Sequence, residues 1–124
     1  MISLDILPTS LAAAGIEPPA AAMFDGVNLL PYLSGEESGR PHDVLFWRLG
    51  ANSALRKGDW KLVKQAERGQ GTLAFQLFDL GKDTSETTDL AGQRPEVVKE
   101  LRAEYERLDA RMLPPVWGAK RKKG

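Results

Sequence analysis

No cysteine occurs in the 124 residues, which excludes disulfides, thiolate nucleophiles and any zinc site built on sulfur. Histidine is almost as scarce: His42 stands alone, so no His pair can chelate a metal. Net charge is absent too, since 17 Lys and Arg balance 17 Asp and Glu, and no global field draws the chain to nucleic acid or to an anionic membrane. No run approaches the roughly 20 apolar residues that a membrane span needs, and the first residues lack the basic start and apolar stretch of a secretory leader. Met1 is instead followed at once by an organised segment, which predicts a domain that begins inside a longer protein. The length fits one domain with one core and leaves no room for a second catalytic domain.

What is present reads as α+β. In ISLDILPTSLAAAG, Leu4, Leu7, Leu11 and Ala14 share one helix face, with Ser3 or Asp5 as cap, Pro8 in the first turn and Gly15 at the end. A Pro-broken connector runs to Phe24, Asp25-Gly26 turns the chain, and VNLLPYLSG offers one helical turn closed by Gly35. From Val44 the apolar period drops to two. Ser53–Lys57 and Trp60–Gln65 are joined by Gly58-Asp59, the pattern of a type II′ hairpin. LAFQLFDL adds a further strand, for three or four antiparallel strands in all. Asp83 and Glu86 form a capping-box pattern, and a long helix from Arg94-Pro95 carries Val97, Val98, Leu101, Tyr105, Leu108 and Met112 as its apolar stripe. The expected organisation is connecting helices over 1–35, an antiparallel sheet over 43–80, a long helix over 94–113 and a basic, frayed tail over 114–124.

Catalytic constellations are scarce. Asp43 could orient His42 as a base, but adjacent strand residues point to opposite faces, and a surface or loop-capping role is the alternative. No G-x-S-x-G elbow carries a nucleophile. Asp79, Asp83, Glu86 and Asp89 lack the ligand spacing of an EF-hand loop and read as caps and turn formers. Lys120, Arg121, Lys122 and Lys123 have no interleaved aromatics and predict a solvated tail, not a nucleic-acid interface. Trp47, Trp60 and Trp117 can stack on sugar rings. Trp60 follows the turn on an apolar strand and fits the core, whereas Trp47 fits either a packed position or the mouth of a cleft.

The ordered series DILPTSLAAAGI, DGVNLLPYLSG, RPHDVLFWR, ALRKGDWKLV, LFDLGKDTSETTDLA and PEVVKELRAEYERL resembles the C-terminal region of the sulfatase family, the formylglycine-dependent sulfuric ester hydrolases. The resemblance runs from about Ser3 to Leu108 and implies that 1–113 form the family's C-terminal subdomain, a four-stranded antiparallel sheet covered by a long helix. Asp5, Pro8 and Thr9 match the helix that returns toward the large domain. Arg56, Gly58, Trp60 and Lys61 match the R-x-G-x-W-K hairpin, and Asp79, Leu80 and Asp83 match a strand that ends in a D-L-x-x-D turn. For the parent enzyme the resemblance implies a Cys or Ser of C/S-x-P-x-R oxidised to formylglycine, whose hydrate attacks the sulfate ester sulfur while calcium, Lys, Arg and His neutralise charge. None of those residues can be placed in these 124, so the chain alone is expected to be inactive, with no cofactor of its own.

Two departures bear on specificity. Thr84 follows Asp83 where many relatives have Pro, and Leu49-Gly50-Ala51-Asn52 stands where some arylsulfatases have H-E-G-N, so arylsulfatase specificity does not carry over. The resemblance implies an N-terminal sulfatase catalytic domain as partner, a sulfate ester as substrate, and a periplasmic or secreted parent. His42, Trp47, Arg48 and Asn52 are the candidates for one wall of the substrate cleft; a salt bridge for Arg48 and packing for Trp47 are the alternatives. The helix Leu4–Ala14 and the connector to Met23 are the expected docking face, through which the isolated chain could dimerise. The competing expectation is a stand-alone interaction module that binds sulfated saccharides.

Overall fold

The computed structural model describes residues 1–66 and 73–114; the expectations for the ERGQG loop, for Trp117 and for the basic tail from residue 115 onward lie outside them. The chain divides into two compact units, Met1–Asp43 and Val44–Gly124. The elements are α+β, with helices at the start, an antiparallel sheet, and a helix at the end.

In the first unit a 3-10 turn, Ser3–Asp5, runs into α1, Ile6–Ala13, and a short α2, Leu30–Ser34, follows the connector. The helix face that carries Leu4 and Leu7 is open, with Leu4 53% exposed and Leu7 55%. Neither Ser3 nor Asp5 caps α1 with its side chain. Asp5 turns inward instead. Gly15 and Gly35 end the two helices with positive φ, as expected. Gly26 answers a different need. A Cβ there would lie 2.0 Å from the Leu4 carbonyl oxygen and 2.7 Å from the Asp5 nitrogen, so the turn passes the backbone of the first segment at a distance only hydrogen allows.

In the second unit β1 (Val44–Leu49), β2 (Asn52–Lys57), β3 (Trp60–Ala66) and β4 (Leu73–Asp79) form a four-stranded meander in sequence order. Lys57 faces Trp60 across Gly58-Asp59 and Leu49 faces Asn52 across Gly50-Ala51. In both two-residue turns only the leading glycine has positive φ, +61°, the requirement of type II′ and the reason a side chain is disfavoured there. Leu55, Leu62 and Leu77 stand side by side across three strands and are fully buried, each adding roughly 1.5–3 kcal/mol by leaving water. α3, Pro95–Asp109, closes over this row with Leu101 and Tyr105. Tyr105 meets the rings of Phe46 and Phe75 at 5.4 and 5.3 Å, and its hydroxyl lies 2.9 Å from the Ser53 Oγ. Trp60 packs partly buried against the same cluster.

Two expectations for this unit are corrected. α3 ends at Asp109, so Met112 is 42% exposed beyond it and not part of the buried stripe. No helix starts at Asp83. Its Oδ2 accepts the Thr87 and Thr88 amides at 2.8 Å and the Thr87 hydroxyl at 3.1 Å, which ties off a loop; Glu86, at φ +55°, reaches Lys61 Nζ at 2.5 Å. The loop then runs beside β4: Asp89 Oδ1 accepts the Leu77 amide at 3.0 Å, and the Leu90 amide donates to the Leu77 carbonyl at 2.8 Å. The outer edge of β4 is thereby blunted at its centre.

Candidate functional site

Within the first unit, Asp5 is completely buried. Its Oδ2 accepts the Ile2 amide at 2.8 Å, and its Oδ1 accepts both the Val27 amide at 3.1 Å and His42 Nε2 at 2.7 Å. One turn further along α1, Thr9 Oγ1 accepts the Leu29 amide at 3.0 Å and donates to the Val27 carbonyl at 3.4 Å. The D-x-x-P-T spacing therefore puts an acceptor and a hydroxyl on one helix face, four residues apart, where they hold the segment Val27–Leu29 in place. Burial would push the Asp5 carboxyl up, but the Ile2 and Val27 amides and His42 outweigh it and hold its pKa below the usual carboxylate range. His42 thus pairs with Asp5, 37 positions away, and not with its neighbour Asp43.

The other three candidates lie at the β1–β2 hairpin of the second unit. Arg48 faces Ser53 across the ladder, on the side of the sheet that carries α3. Its Nη1 donates to Asp109 Oδ1 at 2.6 Å and its Nη2 to the Leu113 carbonyl. A cation at the exit of a helix satisfies carbonyl and carboxylate together, so this guanidinium fastens β1 to the end of α3. Trp47 and Asn52 point to the opposite face, as alternation demands. Trp47 is 43% exposed and Asn52 is exposed as well. The strands thus bring Trp47, Arg48 and Asn52 to one hairpin, and His42 belongs to the other unit.

The carboxylates that might suggest a cation are spent on backbone amides. Asp79 Oδ1 accepts the Gly81 amide at 3.1 Å, Asp89 Oδ1 accepts Leu77 and Ala91, and Asp83, held low in pKa first by the Thr88 amide, ties its own loop. Among the described residues no three His, Cys, Asp or Glu side chains come together. The sequence holds no Cys and no S-x-P-x-R. The Asp5–His42 pair escaped the sequence reading, although a buried-facing Asp one turn before Thr9 was the signal available.

The relatives of the chain agree among themselves. Arylsulfatase K of Mus musculus is 35% identical over 108 residues, covering 79% of this chain and 19% of its own length. The uncharacterized sulfatase PB10D8.02c of Schizosaccharomyces pombe is 31% identical over 107 residues, again 79% of this chain and 19% of that protein. No protein-family profile matches. Among solved structures, BT33336S-sulf, from work on the metabolism of multiple glycosaminoglycans by Bacteroides thetaiotaomicron, aligns with a TM-score of 0.65 and 28% identity, covering 86% of this chain and 24% of its own. The chain spans about a fifth of the length of the curated relatives it matches.

Proposed function

The chain is homologous to a segment of the sulfatases over about four fifths of its length, and from that premise we propose that it is the C-terminal portion of an enzyme that hydrolyses sulfate esters. The observation that carries the reading is this homology together with the share of the relatives it spans: the remaining length is where a catalytic domain with formylglycine and calcium belongs. The segment completes the fold of that domain. Its exposed apolar residues on and around α1, with Ile6 at 61% and Met23 at 95%, favour a docking role over a stand-alone module, because soluble monomers seldom leave such residues uncovered together.

The same reading gives the chain one wall of the substrate cleft. Trp47 and Asn52 are its contact residues, being exposed beside a tight turn, and Arg48 holds their hairpin to the end of α3 through Asp109. In the full-length enzyme, Trp47→Ala with Asn52→Ala lowers kcat/KM on the natural sulfate ester by roughly tenfold or more, the scale of a lost aromatic contact. Unchanged kcat/KM in a correctly folded variant removes these residues from the wall.

A further inference from the structure

The two units are held together by different means. In the first, Asp5 and Leu29 are the two buried residues, and neither α1 nor α2 holds a buried residue. In the second, Leu55, Leu62, Leu77, Leu101 and Tyr105 form a continuous core. Apolar burial of that kind is indifferent to protons. The first unit has no such core and closes instead on one carboxylate, which gathers three separate stretches of chain. Ile2 at the start, Val27 after the connector and His42 just before β1 all donate to Asp5, and Thr9 fastens Leu29 alongside. Both carboxylate oxygens therefore face N–H donors, and a proton on either one puts an O–H where an amide or the imidazole donates. Of the titratable side chains, His42 is the one that acts on Asp5; Glu37 and Asp43 act on Tyr32 instead.

We propose that the first unit is a proton-operated clasp: protonation of Asp5 opens Met1–Asp43 while the sheet and α3 of the second unit stay closed. The folded carboxyl titrates below its ordinary value of 3.8, so the clasp holds at neutral pH, begins to weaken at about pH 4 and is lost as the pH falls through the folded pKa. The carboxylates of the second unit do not couple its core to acid in this way. Asp83 ties a loop through the Thr87 and Thr88 amides, and Asp89 holds that loop to the edge of β4. The Lys61–Glu86 and Arg48–Asp109 pairs are partly exposed. Protonation there frees the loop or a rim contact and leaves the leucine row under α3.

The test is amide hydrogen exchange of the 124-residue chain, followed residue by residue by NMR from neutral pH down to about pH 2.5. After correction for intrinsic rates, protection of the Val27 and Leu29 amides falls together, by up to about tenfold per pH unit below about pH 4, while the amides of Leu55 and Leu62 keep theirs. Asp5→Asn, which keeps one acceptor oxygen and cannot titrate, removes that pH dependence. His42→Gln, which keeps an N–H donor without a charge, moves the opening to higher pH, and it carries the test if Asp5→Asn does not fold. Loss of protection in both units at one pH overturns the proposal. So does a Val27 amide whose protection is the same at every pH, or a His42→Gln chain that opens where the parent does. The readout is made on the chain itself and is independent of sulfate-ester hydrolysis.

Discussion

Gly26 and Asp5 show how much of the first unit hangs on single positions. The Leu4 carbonyl would sit 2.0 Å from a Cβ at position 26, and a backbone carbonyl cannot yield as a side-chain tip can. Gly26→Ala is therefore expected to cost about 3 kcal/mol, read as a fall in the denaturation midpoint; a variant as stable as the parent would show that the turn has room. Asp5 adds a pH signature. Its folded pKa lies below the ordinary value of 3.8, so its contribution is present above the unfolded pKa and disappears as pH falls through the folded one. Asp5→Asn should lower stability at neutral pH and flatten the loss of stability on acidification below about pH 4. An unchanged acid limb would contradict the geometry. The D-x-x-P-T sequence displays Asp5, Pro8 and Thr9 openly; the burial of Asp5 under His42 was not legible, because a contact across 37 positions leaves no local pattern.

At the level of elements, periodicity carried most of the information. The Gly58-Asp59 hairpin was readable because its turn demands one left-handed residue flanked by alternating strands, and the α3 stripe was readable through Leu101 and Tyr105. What spacing does not carry has a common physical cause. Leu4 and Leu7 share an apolar helix face and both are exposed, since amphipathic spacing says only that a face is apolar, not that this chain covers it. Asp83 and Glu86 look like a capping box, yet an Asp that accepts amides from Thr87 and Thr88 satisfies the same chemistry in a loop. For Arg48, with a cleft wall and a salt bridge as the two readings, the strand pattern could not name Asp109 as the partner to which it is tied. For α3 itself, Leu101→Ala is expected to cost about 2–5 kcal/mol, since the side chain is 2% exposed above three buried leucines. Exposed Arg102→Ala on the same helix should cost under about 1 kcal/mol. Comparable costs for the two would mean that α3 is not seated on the sheet.

For the molecule as a whole, the exposed Leu4, Ile6 and Leu7 are the clearest debt left by a chain that spans a fifth of its relatives. The isolated chain is expected to self-associate at micromolar concentration, and Ile6→Lys with Leu7→Lys to make it monomeric without loss of helix, as sedimentation and circular dichroism would report. A strictly monomeric parent chain would mean that these side chains need no cover. The meander of the second unit sets a different property, the order in which the molecule assembles. Its first three strands are joined by turns of two residues each, so their ladders close the shortest loops available and cost little chain entropy. Contacts of this kind form early. The β2–β3 hairpin, where Leu55 already meets Leu62, is the natural nucleus. Leu101 and Tyr105, far along the chain, can only lock in afterwards. Substitutions at Leu62 should slow folding, whereas those at Leu101 should mainly hasten unfolding.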